Sequence, residues 1–193
     1  MPTCKITDDL IPSDCTSLEI GGVSGKAYGI NYVDWQTATI TRGADGEITA
    51  IVLTEPTAFA VVFDLPRGAS IPSTPLTVNA GGKSGFMHGV QMFLPVKDQA
   101  TKKQLAGMIN YGRMVWIVVL DSSIVANVFG NDVGMVVSAY DELPNDPSKG
   151  GGIDVTFTTP SDVTLENLPP VTFFDTDRAT TLAALETLRT PVP

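Results

Sequence analysis

The chain has 193 residues and a formal net charge of −9 at pH 7, from 12 Lys and Arg against 21 Asp and Glu. A chain of this length can bury roughly two thirds of the surface that its unfolded form exposes, so it can fold as one domain without a disulfide. Hydrophobic residues make up 43% and charged residues 17%, which disfavours a disordered protein, and the scattered basic residues disfavour an ordinary nucleic-acid binder.

The N-terminal segment from Met1 to Lys5 lacks the apolar core of a secretory signal, and no apolar run approaches the roughly 18 residues of a membrane span. We therefore expect a soluble protein made in a cytosol. Cys4 and Cys15 are the only cysteines and His88 is the only histidine, so one chain cannot supply four nitrogen and sulfur ligands for zinc. The two cysteines are either free thiols, which a reducing cytosol favours, or a disulfide.

Turn-forming residues divide the first half of the chain into short strands. The glycines and the aspartate of Gly43-Ala44-Asp45-Gly46 tolerate a positive φ, which predicts a β-hairpin. The segment from Pro66 to Pro75, rich in proline, predicts an extended loop. In the strand before it, Phe59, Val61 and Phe63 alternate on one face. The strands predicted in this half are 38–42, 47–54, 58–65, 76–80 and 86–95.

An amphipathic helix is predicted from Asp98, a good N-cap, to Gly112, which ends it. The strand that follows, from Arg113 to Leu120, is apolar at both odd and even positions, so neither of its faces can remain in water. One face should pack on the core, and the other then needs a helix or a neighbouring subunit to cover it. This strand therefore predicts assembly more clearly than it predicts chemistry.

Two further strands are predicted at 124–129 and 134–140, and a last one at 153–159 after an acidic loop from Asp141 to Gly152. A short helix follows, with its cap at Asp175 or Asp177, and we expect its apolar side to dock on a partner. That side carries Leu182, Leu185 and Leu188. The predicted organisation is a β domain over residues 1–160 and a C-terminal extension with a short helix over residues 161–193.

Residue patterns typical of catalysis are weak. His88 lies in the middle of a predicted strand on an apolar face, where a packing role is expected. Gly81-Gly82-Lys83-Ser84 lacks the helix that a phosphate-binding loop needs. An enzyme would need carboxylates to converge from the turns that hold Asp121, Asp132, Asp141 and Glu142, and a carbohydrate-binding β-sandwich module would need an exposed platform from Tyr28, Tyr32 and Trp35. We predict no catalytic, cofactor-binding or metal-binding residue, and no cofactor.

The layout of the chain resembles the tail proteins of bacteriophages that infect Bacteroidetes, and more broadly the tail-tube fold. The resemblance rests on Cys4 and Cys15 near the start, the hairpin return Asp45-Gly46-Glu47-Ile48-Thr49-Ala50-Ile51, the helix from Asp98 to Ile109 and the strand after it, and Gly150-Gly151-Gly152-Ile153-Asp154-Val155-Thr156-Phe157. It spans the region from Cys4 to Phe157.

This resemblance implies an all-β fold with one packed helix, as a tail-tube-like β-barrel or sandwich with extended loops and a C-terminal helical tail. It implies a virion protein, assembled in the bacterial host cytoplasm, whose identical subunits form a ring that contacts adjacent tail or connector proteins. DNA would pass through without adhering, which acidity favours, and no membrane is involved. A head-tail connector, ring or capsid-decoration protein is the alternative in the same setting. The predicted oligomer interface comprises Val115, Ile117, Val119, Ile71, Leu143, Pro144, Leu182 and Leu185.

Overall fold

The computed structural model describes residues 23–64, 71–78, 84–94, 99–120, 126–143, 152–160 and 165–190. The strands in these segments are β1 (Val23–Asn31), β2 (Thr39–Arg42), β3 (Ile48–Val52), β4 (Val61–Asp64), β5 (Ile71–Ser73), β6 (Leu76–Val78), β7 (Ser84–Phe86), β8 (Gly89–Leu94), β9 (Met114–Leu120), β10 (Ala126–Phe129), β11 (Val136–Leu143), β12 (Gly152–Thr158) and β13 (Val171–Phe173). The helices are α1 (Tyr32–Thr37), α2 (Gln99–Tyr111) and α3 (Arg178–Thr187).

The strands form two main sheets. The larger has seven strands in the order β2-β3-β13-β10-β9-β1-β4, and the smaller has four in the order β11-β12-β8-β5. Strands β6 and β7 pair separately. Neither main sheet closes into a barrel within the described segments, so the sandwich form of the predicted all-β fold is the one that occurs. Of the three helices that accompany the sheets, α2 is the predicted packed helix and α3 lies in the predicted C-terminal helical tail, whereas the short α1 was not predicted.

One face of β9 packs between the two sheets. Met114, Trp116 and Val118 are buried there in one cluster with side chains of β8 and β12. The Trp116 ring lies 5.3 Å from the Phe63 ring and 4.7 Å from the Phe157 ring, measured between centroids. Such edge-to-face and tilted contacts stabilise a core beyond the area that they bury.

The other face of β9 is covered by the same chain. Val115, Ile117 and Val119 are 0%, 0% and 1% exposed, and they share a cluster with Leu185 of α3. The prediction that this face contacts another subunit is therefore wrong, and the alternative of a covering helix is the one that occurs. The apolar pattern of a strand requires cover on both faces, but it does not specify which segment provides the cover.

The C-terminal segment is built into the larger sheet. Strand β13 lies between β10 and β3, antiparallel to the first and parallel to the second. Residues 161–193, predicted as an extension, thus contribute an interior strand, and this corrects the predicted boundary at residue 160. The N-cap of α3 is Asp177, whose carboxylate accepts the Thr180 N–H at 2.8 Å. Of the two predicted caps, Asp175 and Asp177, the second is confirmed.

A charged cluster fastens α3 to the sheet. The Glu186 carboxylate accepts hydrogen bonds from Lys26 Nζ and Tyr28 Oη, each at 2.7 Å, and from Arg189 at 2.8 Å. The Lys26 bond, followed by those of Arg189 and Tyr28, lowers the pKa of Glu186 to about 2. Helix α3 therefore docks on its own sheet, through Leu185 and through this cluster, instead of on a partner.

The other predicted strands and helices agree with the structure in part. The β2–β3 hairpin and helix α2 are confirmed. The predicted strand 58–65 is shorter at its start, since β4 begins at Val61, and Phe59 precedes it and is exposed. Strand β1 and helix α1 were not predicted, because Gly29 and the polar Lys26 and Asn31 interrupt the apolar alternation that marks a strand.

Candidate assembly surface

The structure does not bring the predicted interface residues together on one surface. The three β9 residues and Leu185 are buried, and Leu182 is half-buried against the same cluster. Ile71 lies in β5 and Leu143 in β11, both at edges of the smaller sheet. Pro144 lies outside the described residues. Of the predicted interface residues within the described segments, only Ile71 and Leu143 lie on edge strands, where another chain could pair with the backbone.

An exposed groove lies beside α2, at the end of the larger sheet where β1 ends and β9 begins. Its volume is about 370 Å³. Phe59, which is 41% exposed, forms part of its wall with Val61 of β4. The complete lining is Asn31, Phe59, Val61, Gln104, Gly107, Met108, Gly112 and Met114. The wall is mostly apolar, and it is open to a large apolar side chain.

A second recess of about 360 Å³ adjoins this groove, because Asn31 and Gly112 line both. Val33, which is 70% exposed, lies on the wall of this second recess. Asp34 and Arg113 supply opposite charges there. The two recesses together form one surface with exposed apolar residues and a charged rim, which we call the α2 groove.

A strained turn sets the position of Phe59. The Ala58 N–H donates to the Glu55 carbonyl at 3.0 Å, and Thr57 in this turn has a φ of 71°. A β-branched residue rarely adopts a positive φ, and strained backbone persists only where neighbouring contacts hold it. One such contact is the hydrogen bond from the Ala60 N–H to the Leu188 carbonyl at 2.7 Å. The turn thus keeps Phe59 at the groove and outside the core.

An exposed apolar ridge lies at the same end of the larger sheet. It consists of Leu168, Pro169 and Pro170, which immediately precede β13, and we call it the proline ridge. Leu168 is 54% exposed. The ridge lines a shallow recess together with Asp45 and Glu47 of the β2–β3 turn. It is therefore an apolar projection with carboxylates beside it.

His88 supports the ridge from inside. Its Nε2 lies 3.1 Å from the Leu168 carbonyl, and its Nδ1 accepts the Gly130 N–H at 2.9 Å. Because an N–H can only donate, Nδ1 carries no proton and Nε2 carries the proton that Leu168 accepts. Burial lowers the pKa of His88, which keeps the ring neutral. The prediction of a packing histidine is confirmed, since the ring is buried against Phe129.

Glu166 joins the ridge to the turn after β10, and sequence reasoning missed it. Its carboxylate is buried and accepts the backbone N–H groups of Asp132 at 2.8 Å and Val133 at 3.1 Å. Burial raises the pKa of Glu166. The Asp132 carboxylate in turn accepts the Asn167 backbone N–H at 3.2 Å. Glu166 lies in a polar stretch without periodicity, so no pattern in the sequence indicated that it is buried.

Strand β11 is an edge of the smaller sheet, paired with β12 on one side. Residues 138–142, five in succession, are exposed. Lys102 of α2 forms an ion pair with Glu142 at 2.8 Å, so α2 lies beside the end of β11. Strand β11 therefore combines an open edge with exposed side chains.

Among the described residues, no group of three or more His, Cys, Asp and Glu is arranged to hold a metal ion. No helix in these segments is both long enough and apolar enough to cross a membrane. No protein-family model, curated protein or solved structure matches the chain.

Proposed function

We propose that this protein is a structural subunit of a bacteriophage virion, which assembles with identical copies into a ring of the tail or tail tube through which DNA passes. The observation that supports this proposal is the exposed edge of β11. An edge strand presents unpaired backbone N–H and C=O groups, and neighbouring subunits in a ring can pair with them. The apolar residues of β9 do not support the proposal, since they are buried within the chain.

Features around the β11 edge make its pairing selective. Asp141 and Glu142 lie near its end and are exposed, and charges on an edge strand discourage pairing with chance partners. A neighbouring copy must therefore bring matching contacts. An identical copy that repeats the same head-to-tail contact generates a ring if the rotation between copies closes.

The overall charge supports the proposed passage of DNA. The net charge of −9 would repel phosphates, so DNA could move through a ring without adhering. The runner-up in the same setting is a head-tail connector or capsid-decoration protein, which would form single rings or bind capsids. Trp35 and Tyr28 are buried, so they do not form the exposed platform that a carbohydrate-binding module would need.

Assembly is tested by light scattering on a size-exclusion column, with negative-stain images of the same fractions. We expect masses that are multiples of the 20.4 kDa chain and annular particles. Stacked annuli would favour a tail tube over a connector. A chain that stays at 20.4 kDa at every concentration, with no annuli, would contradict the proposed function.

The role of the β11 edge is tested by Ala139→Lys, because lysine on an edge strand opposes pairing. Ala139 is exposed, so the variant should fold. We expect its association to weaken by about tenfold or more, which corresponds to about 1.4 kcal/mol. Ala183→Lys, at an exposed position of α3, is the matched control and should assemble like the unmodified chain.

A further inference from the structure

The turn that joins the two sheets is held by buried side chains from distant segments. It comprises residues 130–134, between β10 of the larger sheet and β11 of the smaller one, and we call it the junction turn. Its Gly130 N–H donates to His88 Nδ1 at 2.9 Å. Two further N–H groups of the turn donate to the Glu166 carboxylate. His88 and Glu166 are each 1% exposed, so the acceptors that fix the turn are buried and titratable.

We infer that His88 is an acid-sensitive switch, which holds the Gly130 end of the junction turn while its ring is neutral and releases it when the ring is protonated. In the neutral ring Nδ1 accepts a hydrogen bond, whereas in the imidazolium both ring nitrogens donate. The new Nδ1–H would then face the Gly130 N–H, with the two nitrogens only 2.9 Å apart. A buried N–H that loses its acceptor is destabilising, so the turn should open at this point.

The other contacts of His88 do not depend on the charge of the ring. Its Nε2 carries a proton in both forms and can donate to the Leu168 carbonyl at 3.1 Å in both. Its backbone N–H donates to Thr159 Oγ1 at 3.0 Å, and its carbonyl accepts the Thr159 N–H at 2.9 Å. Protonation therefore removes the Gly130 bond and leaves the ring anchored beside Leu168, which makes the release local.

The charges around the turn determine the direction of the response. Burial lowers the pKa of His88 and outweighs the Leu168 hydrogen bond and the charge of Asp132, which both raise it. Burial also raises the pKa of Glu166, so Glu166 binds a proton more readily in the closed turn, and acid does not open the turn through it. The other titratable or charged side chains that bond to the turn are Tyr32, Arg42 and Arg113.

The junction turn can change its path once the Gly130 bond is lost. Gly130 and Gly134, at its two ends, have φ values of 77° and 74°, and glycine passes between positive and negative φ with little steric cost. The two ends can therefore act as hinges. This release takes place within one chain, so it is independent of the proposed ring.

The switch is tested by NMR at a protein concentration where the chain is monomeric. The ¹⁵N shift of His88 Nδ1 reports its protonation, and amide hydrogen exchange between pH 7.5 and pH 5 gives the protection of Gly130. Amides of β9 serve as the reference for global unfolding. Because the ring of the open turn titrates near its ordinary pKa of 6.5, opening should increase about tenfold for each pH unit below this value, or roughly thirtyfold at pH 5.

Two substitutions separate the acceptor from the titration. In His88→Asn, the amide oxygen can take the place of Nδ1 and does not titrate, so Gly130 should stay protected at both pH values. In His88→Gln, the amide nitrogen can take the place of Nε2 and donate to Leu168, but Gly130 loses its acceptor. The protection of Gly130 in this variant should be low at both pH values. Circular dichroism establishes that the two variants fold.

Three results would overturn the switch. The first is a Gly130 amide that stays protected down to pH 5 in the unmodified chain. The second is an equal loss of protection in Gly130 and in β9, which would mean that the whole chain unfolds. The third is the same pH response in His88→Asn as in the unmodified chain. If neither variant folds, the ring titration and the exchange of Gly130 in the unmodified chain still decide the question.

Discussion

Replacing Leu185 by alanine tests whether α3 covers β9 within one chain. Leu185 is fully buried against the outer face of the larger sheet. The substitution removes three carbon groups, each worth about 0.8 kcal/mol of transfer free energy, or about 2.4 kcal/mol together. The cavity that remains adds to this loss, while the slightly better helix propensity of alanine offsets a few tenths of a kcal/mol. We expect the free energy of unfolding to fall by about 3 kcal/mol.

The assay is unfolding by urea, monitored by circular dichroism at a protein concentration where the chain is monomeric. The midpoint of unfolding and the slope of the unfolding free energy against urea concentration are compared between variants. Leu168→Ala is the matched control, because the same substitution at an exposed leucine should cost less than about 1 kcal/mol. If Leu185→Ala lowered the stability of the monomer by less than about 1 kcal/mol and weakened assembly instead, Leu185 would face another molecule and the packing described above would be refuted.

Three further predictions concern pH and strain. Folding favours the ionised form of Glu186, so its contribution to stability is present above pH 4.5 and is lost as pH falls towards about 2. The free energy of unfolding of Glu186→Gln should therefore depend less on pH over this range than that of the unmodified chain, and solvent screening keeps the difference small. The pKa of His88 is lowered from 6.5, so its contribution to folding stability is present above that pH and is lost on acidification. His88→Gln should be less stable at pH 7.5, and its free energy of unfolding should change less between pH 7.5 and pH 5. If the pH dependence of unfolding is the same in both proteins, His88 is not held in its neutral form. Thr57→Gly should raise the free energy of unfolding by about 1 kcal/mol by removing the strain of a positive φ, and a loss in thermal unfolding experiments would show that neighbouring contacts favour threonine.

The elements that the sequence predicted well are those with a strong local pattern. The β2–β3 hairpin follows from turn residues whose φ preferences act within a few positions. Helix α2 and the Asp177 cap of α3 follow from spacing and from a side chain that satisfies nearby backbone N–H groups. Strand β1 lacks such a pattern, because its pairing with β4 and β9 supplies what its own sequence does not.

The candidate site was predicted less well, since it combines segments that are distant in the chain. Phe59 was assigned to a strand face by alternation, but the turn at Thr57 holds it outside β4. Glu166 and His88 gain their partners only when the turn after β10 meets the segment before β13. Hydrogen bonds between such distant residues leave no periodic signal in a single sequence.

The sequence by itself determined that β9 must be covered on both faces, since seven successive apolar residues from Met114 to Leu120 would otherwise contact water at a cost of about 25 cal/mol for each Å². Only the tertiary structure decided that α3 provides this cover together with Trp35 of α1 and Leu53, Ala58 and Ala60, and that exposed apolar residues lie at the α2 groove and the proline ridge. The hydrophobic effect is not directional, so it fixes how much surface must be buried but not which segment buries it.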